Sequence, residues 1–266
     1  ADREYGCRIG SLHLAQQRPE LLQSRYCLTD GGGSSIDVNG RTLVPVGTAT
    51  KGYALLRLTA RGSLEAPNRL LSALSMLSSG LLEHRLCPAG LALLDAVARC
   101  LDLPQAMLVQ ALKFEGLESF GQRLLRDPSL SGLLAAATHD TVCVTRLACG
   151  DGTSEIPEVA EAWLDLRVLP GRPVTDVVHD LRQRLGPNVE LSMIRSGEPT
   201  TSDVPTPLFQ TIERHVKNTV PGSRVASSLT PHFTDAMAYQ SLGITTYGFA
   251  PVIVLERGGL GGGVRA

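Results

Sequence analysis

Four places in this 266-residue chain carry residues suited to chemistry. Glu4 follows Arg3 near the start, and Asp30 stands directly before Gly31, Gly32 and Gly33. Carboxylate oxygens suit zinc, and strand ends are where metals and ligands gather in open α/β sheets. Taken alone, both residues equally fit surface carboxylates beside turns. Arg167 lies in a segment with strand character, and its guanidinium fork can grip a carboxylate bidentately. Asp165 or Glu161 on the same strand could equally claim it. Thr234 and Asp235 open a helix, where a hydroxyl and a carboxylate satisfy backbone N–H groups. His232, just before them, fits a hydrogen-bonded loop residue better than a ligand. Trp163, the single tryptophan, falls in a strand and fits the core.

The other nucleophilic and ligating residues form no pattern. Cys7, Cys27, Cys87, Cys100, Cys143 and Cys149 include no CxxC pair and have no histidines at zinc spacing. They read as buried or incidental thiols rather than a disulfide framework. There is no Gly-x-Ser-x-Gly elbow and no cysteine with a visible histidine partner, which argues against a serine or cysteine hydrolase. A formal net charge of -1 leaves no electrostatic footprint for nucleic acid or an anionic membrane. No apolar run approaches the roughly 20 residues needed to span a bilayer. The opening Ala1-Asp2-Arg3-Glu4-Tyr5 is neither basic nor apolar enough for a signal peptide, so the expected location is the cytoplasm.

The elements that must position these residues follow from periodicity. Residues 8–25 fit a helix cut by Pro19, then a strand at 26–29 runs into the glycines. Strands are expected at 43–48 and 53–60. From Pro67, Leu70, Leu71, Leu74, Leu77 and Leu81 recur at helical spacing. Further helices are expected at 90–101 and 104–125, and strands at 141–148 and 159–168. A helix at 176–185 and a strand at 189–194 complete a βαββαβ unit carrying extra helices. A helix at 207–218, a strand at 224–229, a helix at 234–242 and a strand at 244–249 follow. The fold class is therefore α/β. Residues 1–49 plus 195–266 would form one α/β domain, with 50–194 inserted as a small ferredoxin-like domain.

Four segments, in order, resemble one family. Ala1-Asp2-Arg3-Glu4-Tyr5-Gly6 is similar to the Ala-Asp-Glu-Glu-x-Gly of zinc-dependent aminoacylases, acetylornithine deacetylases and carboxypeptidases. Leu28-Thr29-Asp30-Gly31-Gly32 resembles their Leu-Asn-Glu-Gly-Gly. Asp165-Leu166-Arg167 with Pro170-Gly171 resembles Asp-x-Arg-x-x-Pro-Gly. Thr234-Asp235-Ala236, Leu242-Gly243-Ile244 and Tyr247-Gly248-Phe249-Ala250-Pro251 resemble the closing motifs. The helical insert is similar to the carboxypeptidase S branch.

The resemblance implies a partial α/β catalytic domain and an inserted lid that pairs two copies as a homodimer. It implies hydrolysis of an amide next to a free carboxylate, on an N-acyl amino acid or short peptide, with zinc activating water. Glu4 and Asp30 would be metal ligands, and Arg167, Thr234 and Asp235 would bind substrate. The departures matter too. The general-base slot is held by Arg3, which cannot accept a proton. Arg61-Gly62-Ser63-Leu64 stands where the family has a Gly-His-x-Ser turn, and no histidine follows Pro251. The family's His-x-Asp segment would precede residue 1. With two ligands where a catalytic zinc needs three, the alternative is a non-catalytic relative or fragment that binds or dimerises.

Overall fold

The computed structural model describes residues 9–62, 65–117, 128–150 and 156–252. Arg3 and Glu4 lie outside the described residues. The chain forms two sheets with helices on their faces, an α/β architecture.

The first sheet is built around β3, Arg41–Thr50. β1 (Tyr26–Thr29) runs parallel to β11 (Thr245–Gly248), and β10 (Arg224–Thr230) runs parallel to β3. β11 meets β3 antiparallel at Gly248 and Gly47. Two strands the sequence did not announce, β2 (Ile36–Val38) and β9 (Thr200–Thr201), pair antiparallel with β3. Both are too short for alternation to register.

The second sheet has the order β5-β6-β7-β4-β8. β4 (Gly52–Arg61) pairs antiparallel along its whole length with β7 (Val159–Val168), and on its other side with β8 (Glu190–Gly197). β6 is His139–Cys149, and β5 is Leu81–His84. Alternation on β7 decides which face is which. Ala160, Ala162, Leu164, Leu166 and Val168 are buried, while Glu161, Trp163, Asp165 and Arg167 point the other way, half-buried. The buried face packs on helices α2 (Ala66–Ser75) and α6 (Val174–Leu185), the latter through Val177, Val178, Leu181 and Leu185.

Three further helices, α3 (Pro88–Ala98), α4 (Leu103–Ala111) and α5 (Pro128–Thr138), lie between β5 and β6 in sequence. α3 packs on the first sheet, where Leu93, Leu94 and Val97 share a core with Leu43 and Ala226, and α4 and α5 pack on α3 through Val109, Leu130 and Leu134. Helix α7 (Pro207–Thr219) covers the opposite face, where Phe209 and Ile212 meet Val46 and Tyr247. The short helices α1 (Ser11–Gln17) and α8 (Ala236–Gln240) close the end of the seam.

Several expectations shift. The helix from Pro67 stops at Ser75, and Leu81 opens β5 instead of continuing the leucine stripe. Ser78-Ser79-Gly80 explains the stop, since serine competes for backbone hydrogen bonds and glycine is entropically costly in a helix. The helix expected over 104–125 ends at Ala111, and part of that range lies outside the described residues. Trp163 is not core: it sits on the half-exposed face under the Arg146 guanidinium, 4.5 Å from its ring centroid.

Candidate functional site

Asp30 leaves the end of β1 into a turn that is fixed on all sides. Thr230 Oγ1 donates to the Gly31 carbonyl at 2.6 Å, the Ala250 amide to that of Gly32 at 2.8 Å, and the Gly33 amide to that of Pro45 at 2.7 Å. Gly32 is required by close approach. A Cβ there would fall 2.3 Å from the Gly248 carbonyl oxygen and 2.7 Å from the Gly47 amide nitrogen. The glycines therefore press the Asp30 turn against the strands, with Asp30 itself exposed.

Thr234 stands beside this turn. It is 1% exposed, and its Oγ1 accepts from the Ala236 amide at 3.3 Å and lies 3.3 Å from Thr50 Oγ1. Its hydroxyl is thus committed to structure. Asp235 is the N-cap of α8, yet its side chain makes no capping bond. Its Oδ1 accepts from Ser11 Oγ at 2.8 Å, so the carboxylate ties α1 to α8 instead. The capping expected of the pair is made by the threonine alone. Cys27 lies within reach of this carboxylate: burial pushes its thiol up, and the Asp235 charge adds to that. His232 is exposed in the loop just before.

Arg167 comes from the second sheet. Its NH2 donates to Asp165 Oδ2 at 2.8 Å, two residues away on the same face of β7. Its guanidinium lies 6.0 Å from the ring of Tyr53, its cross-strand neighbour. Tyr53 packs edge-on against Phe233 at 4.5 Å between centroids, and Phe233 precedes Thr234. Arg167, Tyr53, Phe233, Thr234 and Gly31 thus form a continuous path across the seam to Asp30. Tyr53 was missed by sequence reasoning because it looked like one more apolar strand residue.

The described residues do not supply a metal centre. Among them no three His, Cys, Asp or Glu side chains cluster with metal-ligand geometry. Asp30 is the one described carboxylate assigned to zinc, and Glu4 lies outside. The donor set among the described residues therefore does not fit a catalytic zinc. The described cysteines are all free; Cys87 and Cys100 are buried, and Cys143 and Cys149 are exposed. No helix among the described residues is long and apolar enough to cross a membrane.

A second charged group lies under the seam, and nothing in the sequence announced it. Lys51, Asp140 and Arg85 meet in the interior, with Lys51 1% and Asp140 0% exposed.

No family model matches this sequence, and no curated protein matches it. The fold does match solved structures. A metallo-carboxypeptidase of the M20 family from Sulfolobus solfataricus superposes over 89% of this chain with a TM-score of 0.55 and 18% identity. Human carnosine dipeptidase 1 gives 0.53 over 92% of the chain, at 12% identity. The di-peptidase Dug1p from Saccharomyces cerevisiae gives 0.53 over 91%, also at 12% identity. This chain spans 66%, 56% and 56% of those three structures. The fold is that of M20 metallopeptidases.

Proposed function

We propose that this chain belongs to an amide hydrolase of the aminoacylase and carboxypeptidase kind, and that Arg167 receives the substrate's free carboxylate. The single observation that carries this is the placement of Arg167 at the seam. It is partly exposed, holds one carboxylate on its own strand, and keeps further N–H donors for another. The substrate class is an N-acyl amino acid or short peptide, whose carboxylate suits a guanidinium fork. Tyr53 and Phe233 orient that arginine toward the Asp30 turn. Asp165 holds the guanidinium until the substrate's carboxylate joins it.

The test is calorimetric binding of an N-acyl amino acid and of its carboxamide-capped twin. Wild type is expected to prefer the free carboxylate by about tenfold or more, since a hydrogen bond to a charged group contributes roughly 1.5–3 kcal/mol. Arg167→Met should erase the preference. Equal binding of both ligands by wild type would sink the proposal.

Zinc, carried by the resemblance onto Glu4 and Asp30, is tested separately. Metal-stripped protein is titrated with zinc, and the titration is repeated with Glu4→Ala and Asp30→Ala. Tight binding lost in both variants supports catalysis. No binding supports the second reading, a binding or dimerisation module that keeps the fold without the reaction. One feature favours that reading. Among the described residues, nothing pairs with the outer edge of β6 over Cys143–Cys149, where Val144 and Leu147 are 41% and 53% exposed. A second copy of this chain adding its own strand there would make a homodimer through the second sheet.

A further inference from the structure

The crossing from the first sheet to the second is one residue long. β3 ends at Thr50 and β4 begins at Gly52, with Lys51 between. Its amide donates to the Thr230 carbonyl at 3.1 Å, and its side chain turns inward. Nζ donates to the His139 carbonyl at 2.6 Å and to Thr141 Oγ1 at 3.4 Å, both on β6. The return crossing runs in contact with it: a Cβ on Gly52 would meet the Pro199 nitrogen at 2.7 Å. Movement of β4 relative to β3 at this crossing must pass through these residues.

Charged and titratable groups face Lys51 from every side. Asp140 on β6 and Cys87 at the start of α3 favour its charge, while Arg167 on β7 and Arg85 after β5 oppose it. The imidazole of His139, whose carbonyl accepts from Nζ, packs edge-on against that of His84 at 5.1 Å. Asp140 Oδ1 accepts from the Leu169 amide at 2.6 Å and from Arg85 NH2 at 3.2 Å. Asp140 Oδ2 and Arg85 Nε are buried without a hydrogen-bond partner. The group is therefore incompletely satisfied: Asp165 holds Arg167, and Asp140 alone faces both Arg85 and Lys51. A buried cluster in that condition gains by admitting water.

The choice of lysine is informative. Of 25 basic residues only Lys51, Lys113 and Lys217 are lysines. Arginine at 51 would stay charged at any working pH, whereas a buried lysine can shed its proton.

We propose that Lys51 is a proton-operated latch on the crossing between the two sheets. Uncharged, it keeps the seam closed; charged, it opens the seam so that water reaches Nζ. Burial lowers Lys51 to about 8 from an ordinary 10.5; Asp140 and Cys87 oppose that shift, and Arg167 and Arg85 add to it. A conformation that hydrates Nζ restores its ordinary proton affinity. Protonation then favours that conformation by at most about 300-fold. The latch does not require Arg167 to bind a carboxylate, although a carboxylate there would offset part of the Arg167 charge that opposes protonation of Lys51.

Amide hydrogen exchange at pH 6.5 and pH 9, with each rate divided by its intrinsic value, reads the latch. The reporters are the amides of Lys51 and Leu169, and the reference is the centre of the β4–β7 ladder. In wild type, protection of the two reporters should rise at least severalfold from pH 6.5 to pH 9 while the reference stays constant. Lys51→Met should be highly protected at both pH values, and Lys51→Arg poorly protected at both. Three results would overturn the latch: no rise in wild type, a rise shared by the reference amides, or a rise that persists in Lys51→Arg. The wild-type and Lys51→Arg measurements decide the matter even if the methionine variant fails to fold.

Discussion

A buried lysine gives the protein a pH dependence with a definite sign. Lys51 titrates near 8 when folded and at its ordinary 10.5 when unfolded. Between those values the unfolded chain binds more protons, so stability rises with pH through that window. The full rise is about 3 kcal/mol at most and levels off above it. Urea unfolding of wild type at pH 7.5 and pH 10 should show this gain, and Lys51→Met should lack it. At the seam, Arg167 and Asp165 form a pair with side chains 22% and 31% exposed. Asp165→Asn should therefore loosen the arginine and weaken carboxylate binding by a few fold, as binding calorimetry would report. Both residues were legible in the sequence as a strand pair. Lys51 was not, because nothing local to a lysine between two strands tells whether it turns inward.

Among the elements, the glycine turn after β1 and the central ladder of the second sheet carry the most structural information. Gly32→Ala places a methyl 2.3 Å from a backbone carbonyl, and backbone cannot swing aside as a side-chain tip can. It should destabilise the protein by about 3 kcal/mol or more, measurable as a lowered urea midpoint. Leu164 is 0% exposed on β7 between α2 and α6, and Leu164→Ala should cost about 2–5 kcal/mol. β7 was read from the sequence at its true limits because ten residues of alternation fix both period and face. β2 and β9 were not, since two or three residues hold no period, and β5 was not because Leu81 fell in register with the helical leucine stripe.

For the whole molecule, the consequence to test is assembly. Among the described residues, the outer edge of β6 over Cys143–Cys149 has no strand partner and carries exposed Val144 and Leu147, the combination that recruits another strand. Sedimentation velocity over a concentration series should show a monomer–dimer equilibrium. Leu147→Lys should shift it toward monomer by about tenfold or more, since a buried charge opposes pairing. A single species at all concentrations, unchanged by the substitution, would remove the dimer and leave β6 as an ordinary edge.

The α/β class, the βαββαβ order apart from the added β5, and the places of Asp30, Arg167, Thr234 and Asp235 in their elements were present in the sequence. Each rests on local spacing, and local spacing sets which way a side chain leaves its backbone. Tertiary structure alone decided that α3 covers the first sheet rather than the second, with α4 and α5 stacked on it, because an apolar stripe does not name its partner. It also decided that the Asp235 carboxylate serves Ser11, that Tyr53 carries Arg167 to Phe233, and that Lys51 is buried. Those contacts join residues far apart in the chain, and they arise only where the two sheets meet.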